Sequence, residues 1–158
     1  MKKLVVTLGI TGSGKSTWLK NKNPVVETDD LRIELLNNID DITQERLIFN
    51  TAAKRISKLF GAYDTVYFGA TLVDSKYRIL FLQSIKDMCK HEFVIDMVIF
   101  SCLPEVSRER ITKDLIAEIQ RADSIKLIDK QYEQYLHTMD ILDDEKDFYR
   151  MIKKGKWI

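Results

Sequence analysis

The sequence has little cysteine, proline or glycine. Only two cysteines, Cys89 and Cys102, occur among 158 residues, which excludes a disulfide-stabilised scaffold. Two thiols without zinc-ligand spacing favour reduced side chains in a cytoplasmic compartment. The two prolines and six glycines leave no obvious linker. A chain of this length is expected to form one domain over residues 1–158.

Long hydrophobic runs and an excess of charge are also absent. No apolar segment reaches transmembrane length, so no membrane partner is expected. The basic start of the chain is followed too early by glycines and Lys15 to be a secretory signal peptide. With 25 basic and 24 acidic residues, the net charge is +1. This balance gives no long-range attraction to nucleic acid, although a small basic groove is not excluded.

Short apolar segments alternate with helical patterns along the chain. The predicted strands cover residues 4–8, 24–28, 65–68 and 93–100. The predicted helices cover residues 15–22, 31–38 and 43–60, a segment capped by Asp74 or Ser75, a segment opened by Pro104, and a late segment around 125–135. The tail from Asp143 is interpreted as either a last edge strand or a surface arm.

The strand at residues 93–100 indicates the fold class. It is apolar on both faces except for Asp96, which is typical of a strand inside a parallel sheet. Alternating strands and helices predict an α/β fold, an open parallel sheet with helices on both faces. Such sheets bind ligands at the carboxyl ends of their strands.

A glycine-rich segment lies between the first strand and the first helix. Residues 9–16 read GITGSGKS and fit the phosphate-loop pattern G-x-x-x-x-G-K-[ST] at every fixed position. Backbone amides of such a loop bind phosphate oxygens, while its lysine contacts the β- and γ-phosphates and its serine binds Mg²⁺. The motif predicts a bound nucleoside triphosphate with Mg²⁺, and Ser16 is the predicted metal ligand. The predicted nucleotide-binding residues are Gly9, Thr11, Gly12, Ser13, Gly14, Lys15, Ser16 and Thr17.

Two aspartates and an arginine follow the second predicted strand. A kinase that acts on a hydroxyl needs a carboxylate to accept or orient its proton, and it benefits from a nearby cation. Asp29, with Arg32 one helical turn later, provides this pair. Alternatively, Asp29 or Asp30 only caps the next helix and Arg32 is solvated. The position after a phosphate loop favours the catalytic interpretation of Asp29, Lys15 and Arg32.

Other nucleotide-binding classes lack their signatures in this sequence. No N-K-x-D segment for reading guanine is present, which argues against a switch GTPase. The third predicted strand ends in Phe68-Gly69-Ala70, without the acid expected of a motor-type ATPase. A small phosphotransferase is therefore favoured.

Residues 8–18, LGITGSGKSTW, together with DDLR at 29–32, resemble the phage polynucleotide 5′-hydroxyl kinase family. The resemblance implies a P-loop kinase that transfers the ATP γ-phosphate to a 5′-hydroxyl of DNA or RNA. It implies that Asp29 is the general base, that Arg32 contacts an acceptor-side phosphate, and that Lys15 and Ser16 hold ATP with Mg²⁺.

The sequence departs from the pattern of that family at the third strand. The family tends to have D-T-N-L there, whereas this chain has GATL at residues 69–72. The acid thought to help order Mg²⁺ is therefore absent. Asp30, Asp74 or water could compensate, or Ser16 and phosphates alone could hold the metal.

The segment from Pro104 to Ile111 resembles the entry to the lid of small P-loop kinases. Arg110 takes the first lid position and is a candidate catalytic residue that grips phosphate. The second position has Asp114 instead of arginine, with Lys113 beside it. Alternatively, the arginines of this segment pair with its glutamates on a helix surface.

Three functions remain open from the sequence. The first is an ATP-dependent kinase whose partner is the 5′ end of a nucleic acid. The second is a kinase of a small hydroxyl compound, such as a nucleoside or nucleotide, or of a hydroxymethyl-pyrimidine in DNA. The third is a nucleotide-binding module without catalysis.

Overall fold

The computed structural model describes residues 1–113, 125–141 and 151–156. The strands are β1 (Lys2–Leu8), β2 (Val25–Glu27), β3 (Thr65–Gly69), β4 (Phe93–Ser101) and β5 (Met151–Lys156). The helices are α1 (Lys15–Leu19), α2 (Thr28–Leu36), α3 (Glu45–Leu59), α4 (Ser75–Met88), α5 (Pro104–Thr112) and α6 (Ile128–Ile141). None of these described helices is long and apolar enough to cross a membrane.

The five strands form one sheet in the order β2-β3-β1-β4-β5, and every pairing is parallel. The central strand is β1, in which Leu4 lies opposite Val66 of β3 and Ile95 of β4. The predicted open parallel sheet is confirmed. Two interpretations were open for the tail, and its described residues 151–156 form the edge strand β5 beside β4.

Alternate side chains of β1 point to opposite faces of the sheet, as the pleat requires. Leu4, Val6 and Leu8 belong to the main core, which also contains buried residues of α3 and α4. Val5 belongs to a smaller cluster on the other face, where the Trp18 ring from α1 lies 5.8 Å from the Phe100 ring. The prediction of helices on both faces of the sheet is confirmed.

Local signals explain how two helices begin. The Asp74 carboxylate accepts hydrogen bonds from the backbone amides of Lys76 and Tyr77, at 3.0 and 3.4 Å, so Asp74 rather than Ser75 caps α4. Pro104 lies at the first position of α5, where its missing N–H costs no helical hydrogen bond.

The beginning of α2 corrects the predicted caps. Glu27, in extended conformation, is the N-cap residue, and the helix begins at Thr28. Asp29 and Asp30 therefore lie inside the first turn, where their charges favour the helix dipole, and neither is the cap. The physical reason is that β2 continues into α2 without a connecting loop. The first helix is also shorter than predicted, since α1 ends at Leu19.

Asp96 is a buried partner rather than a surface group. Its side chain is 1% exposed, and the Lys3 ammonium lies 3.3 Å from its carboxylate. Neither carboxylate oxygen has a hydrogen-bond partner within the part of the chain that the structure describes. The ion pair with Lys3 is therefore the contact that offsets the burial of this charge.

Candidate functional site

The phosphate loop connects β1 to α1 and turns at two glycines. Gly12 and Gly14 have φ angles of 76° and 102°, in the left-handed region that favours glycine. Gly14 is also the N-cap of α1, which has no side-chain cap. The local conformation therefore depends on the glycines that define the sequence motif.

Lys15 folds back over the loop. Its ammonium donates to the carbonyl oxygens of Gly9 and Ile10, at 2.8 and 2.7 Å, and lies 3.3 Å from the Ser13 hydroxyl. A bound triphosphate would compete with these carbonyls for the same ammonium.

Helix α5 packs directly against the loop. Ser107 donates a short hydrogen bond to the Thr11 carbonyl, and Arg110 donates to the Gly12 carbonyl at 3.1 Å. A Cβ atom added at Gly12 would lie 2.8 Å from the Ser107 hydroxyl. Arg110 therefore belongs to the loop region rather than to a solvated helix surface.

The neighbours of Arg110 have different contacts. Arg108 forms an ion pair with Asp129 of α6 at 2.5 Å, and Lys113 pairs with Glu109 at 3.2 Å. Asp114, at the second predicted lid position, lies outside the described residues.

Helix α6 also reaches the phosphate loop. The Thr11 amide donates to the Gln131 side-chain carbonyl at 2.9 Å, across 120 positions of sequence. The Gln134 amide donates to Asp74 at 3.2 Å. Sequence reasoning missed both glutamines, because no local pattern distinguishes them from other polar residues on a helix.

Asp29 and Arg32 interact as their spacing predicts, and a third residue joins them. Arg32 Nη1 donates to Asp29 Oδ1 at 3.0 Å. Its Nε and Nη2 donate to Glu45 at the beginning of α3, at 3.1 and 2.8 Å. Glu45 was not among the predicted site residues, because the contact joins two helices whose relative position the sequence does not reveal.

Most of the predicted site residues border one cleft of about 1370 Å³. Its lining includes the predicted residues Thr11, Gly12, Gly14, Lys15, Ser16, Thr17, Asp29, Arg32 and Arg110. Gly9 and Ser13 are buried and do not border the cleft. Both contact the Lys15 ammonium. Asp30 is exposed and does not border the cleft.

Ser16 has a carboxylate partner in the cleft. Its hydroxyl donates to Glu27 Oε1 at 2.9 Å. Burial raises the pKa of the half-buried Glu27 carboxyl, while the hydrogen bond from Ser16 acts in the opposite direction. Sequence reasoning gave Glu27 no role, because it was interpreted only as the end of a strand.

The donor set at Ser16 fits Mg²⁺. This ion takes oxygen ligands and is usually held by one or two carboxylates with substrate phosphates, rather than by a cage of protein side chains. Across residues 1–113, 125–141 and 151–156, no group of three or more histidine, cysteine, aspartate or glutamate side chains could hold a metal. The hydroxyl and carboxylate oxygens beside the phosphate loop are consistent with a metal that arrives with the nucleotide.

Three solved structures share the fold at low sequence identity. A chain of the Pnkp1/Rnl/Hen1 complex is 21% identical, with a TM-score of 0.56 over 69% of this chain. The match covers only 38% of the length of the chain from that complex. The Mycobacterium tuberculosis APS kinase CysC, solved with AMPPNP and APS, is 19% identical with a TM-score of 0.53, covering 77% of this chain and 75% of its own.

A structure from the PezAT toxin–antitoxin system of Streptococcus pneumoniae is 14% identical, with a TM-score of 0.61 over 99% of this chain and 68% of its own. None of the curated proteins matches the chain. A family model described as an AAA domain matches residues 4–137. The chain therefore belongs to this AAA domain family and has a kinase-like P-loop fold.

Proposed function

We propose that the protein is an ATP-dependent phosphotransferase that moves the γ-phosphate to a hydroxyl, with the 5′-hydroxyl of a polynucleotide as the acceptor. The observation that carries the proposal is that the phosphate loop and Asp29 line the same cleft. The polynucleotide acceptor is supported by the resemblance of residues 8–18 and 29–32 and by the fold similarity to a chain of the Pnkp1/Rnl/Hen1 complex.

The phosphate loop forms the donor side of the cleft. Its backbone amides would bind the β- and γ-phosphates, with Lys15 supplying a positive charge. Arg110 is anchored at the Gly12 carbonyl and borders the cleft, where it would stabilise charge on the transferred group. Ser16 would hold Mg²⁺, which when bound neutralises charge on the β- and γ-phosphate oxygens.

Asp29 forms the acceptor side. Its carboxylate would take the proton of the acceptor hydroxyl as the hydroxyl oxygen forms a bond to the γ-phosphorus. The bond from the γ-phosphorus to the β–γ bridging oxygen breaks, and ADP leaves with that electron pair. The hydrogen bond from Arg32 would hold the Asp29 carboxylate in a fixed orientation toward the acceptor hydroxyl.

The test is phosphate transfer from labelled ATP to an oligonucleotide with a 5′-hydroxyl. Asp29→Asn should lower the rate by about 10²–10⁴-fold, the usual range for a general base, while ATP binding persists. Asp30→Asn is the matched control, because it removes the same charge from an exposed neighbour that does not border the cleft. Normal transfer by Asp29→Asn would contradict the role of Asp29.

A second candidate is a kinase of a small hydroxyl compound or of a modified base. It is favoured by the lining of the cleft, which includes three exposed hydrophobic side chains: Ile42, Tyr77 and Leu80 are 53, 67 and 59% exposed. The hydrogen bonds of Arg32 to two carboxylates also place acidic groups where an acceptor phosphate would approach. Nucleosides, nucleotides and hydroxymethyl-pyrimidine DNA should therefore be compared with oligonucleotides by ADP release.

The same panel tests a nucleotide-binding module without catalysis. Stabilisation by ATP without turnover of any acceptor would support that third function and contradict both kinase proposals. Activity on nucleosides alone would replace the polynucleotide by the small acceptor.

A further inference from the structure

We infer that Glu27 is the carboxylate of the Mg²⁺ site, in place of the acid that β3 lacks. The inference rests on the proposed function, because the metal would arrive with the nucleotide. In P-loop proteins Mg²⁺ is held by the loop serine or threonine and by an acid elsewhere in the site. Here the loop serine, Ser16, already donates a hydrogen bond of 2.9 Å to Glu27.

The order of the sheet explains how β2 supplies this acid. Strand β3 lies between β2 and β1, and Glu27 is paired with Gly69 at the carboxyl end of β3. Because parallel strands end at the same edge, the last residue of β2 lies beside the position where an acid after β3 was expected. A carboxylate can therefore reach Ser16 from either strand.

Gly69 leaves the space that the Glu27 side chain occupies. A Cβ atom added at Gly69 would lie 2.8 Å from Glu27 Cγ and 2.6 Å from Leu19 Cδ1. A side chain at position 69 and the present position of Glu27 therefore exclude each other. The glycine at position 69, where the family pattern has an acid, therefore makes room for the glutamate at the end of β2.

The other acids considered for this role have different positions. Asp30 is exposed and does not border the cleft. Asp74 caps α4 through its Oδ1, while its Oδ2 accepts a hydrogen bond from Gln134. Asp29 accepts a hydrogen bond from Arg32 and is the proposed base for the acceptor hydroxyl. Of these four acids, Glu27 is the one that accepts a hydrogen bond from the Ser16 hydroxyl.

The test measures metal binding separately from catalysis. The affinity for AMPPNP is measured in Mg²⁺ and in EDTA, and Mn²⁺ bound with AMPPNP is measured by electron paramagnetic resonance. Glu27→Gln should lose about tenfold or more of the metal-dependent affinity, a range seen when metal-site partners are removed, and keep the affinity measured in EDTA. Asp30→Asn, which removes the same charge three residues later, should behave as wild type.

Two further variants separate the carboxylate from the fold. Glu27→Asp keeps a carboxylate, so it should bind Mn²⁺ better than Glu27→Gln; equal losses would overturn the inference. The double variant E27A/G69D moves the acid to β3, and it should bind Mn²⁺ more tightly than Glu27→Ala alone. If the double variant folds, as judged by its melting temperature, and shows no gain, the argument that an acid on β3 and an acid at position 27 can serve the same metal site is overturned.

The outcomes for this inference and for the proposed function are distinct. If Glu27→Gln keeps the full Mg²⁺ dependence of wild type, the inference is wrong and the kinase proposal stands. If wild type binds no AMPPNP with or without Mg²⁺, the proposed function fails and the inference fails with it.

Discussion

Arg32 on α2 and Glu45 on α3 form a two-point ion pair, with Nε and Nη2 at 3.1 and 2.8 Å from the carboxylate oxygens. The same guanidinium donates to Asp29 at 3.0 Å. The orientation of the proposed base is therefore set by a residue that a second helix holds in place. We therefore expect Arg32 to position Asp29, in addition to any contact that it makes with an acceptor.

Arg32→Lys should slow phosphate transfer without weakening nucleotide binding. A lysine cannot present the planar fork that bridges two carboxylates. Misplacement of a catalytic group by about 1 Å can cost about 10²-fold in rate, and we expect an effect up to that size. Single-turnover transfer and AMPPNP affinity should be measured together. Glu45→Gln should change the rate in the same direction by less, and an unchanged rate in Arg32→Lys would contradict this positioning role.

Gly12→Ala should impair nucleotide binding through the backbone. At a φ of 76° an alanine is strained, and its Cβ would lie 2.8 Å from the Ser107 hydroxyl. The left-handed conformation alone costs about 1–2 kcal/mol for a residue with a Cβ. The melting temperature and the AMPPNP affinity should both fall. Gly61→Ala is the control, because Gly61 is exposed, has no positive φ angle and does not border the cleft; an equal loss of AMPPNP affinity there would contradict the explanation.

Lys3→Met should destabilise the fold through Asp96. The substitution removes the ammonium 3.3 Å from a carboxylate that is 1% exposed. Leaving a buried polar group without its partner costs about 1–3 kcal/mol or more, and we expect a loss in the free energy of unfolding of that order. The free energy of unfolding should be measured by urea denaturation for Lys3→Met, Asp96→Val and the double variant. The double variant should be more stable than the sum of the single losses predicts.

The ion pair between Glu34 and Arg55 should make the free energy of unfolding depend on pH. Arg55 on α3 donates from Nη1 and Nη2 to the two carboxylate oxygens of Glu34 on α2, at 2.8 and 2.5 Å. The hydrogen bond to Arg55 lowers the pKa of Glu34 below its ordinary value of 4.5. A carboxyl with a lowered folded-state pKa stabilises the fold above the unfolded value, and this contribution is lost as pH falls through the folded value. The stability difference between wild type and Glu34→Gln should therefore be constant near neutral pH and shrink below about pH 4.5. Denaturation midpoints between pH 7 and 3 measure it, and a difference that grows on acidification would contradict the sign.

Local patterns in the sequence accounted for much of the fold. Short apolar runs located strands β1 to β4, because a buried strand is apolar on both faces, whereas an amphipathic helix repeats its apolar residues every three or four positions. Asp74 and Pro104 located the beginnings of α4 and α5, since capping and the missing N–H of proline are effects of adjacent residues. The cap predicted at Asp29 or Asp30 was wrong, because the prediction placed these residues in a loop between β2 and α2, whereas Glu27 is the N-cap.

The sequence by itself determined the phosphate loop, since its glycines, lysine and serine act within eight consecutive positions and need only a strand before and a helix after. Only the tertiary structure decided which distant residues complete the site. Insertion of β3 between β2 and β1 brought Glu27 beside Ser16, and packing of the helices brought Glu45 to Arg32 and Gln131 to Thr11. The reason is physical: strand order and helix packing depend on the whole core, whereas a turn depends on the residues that form it.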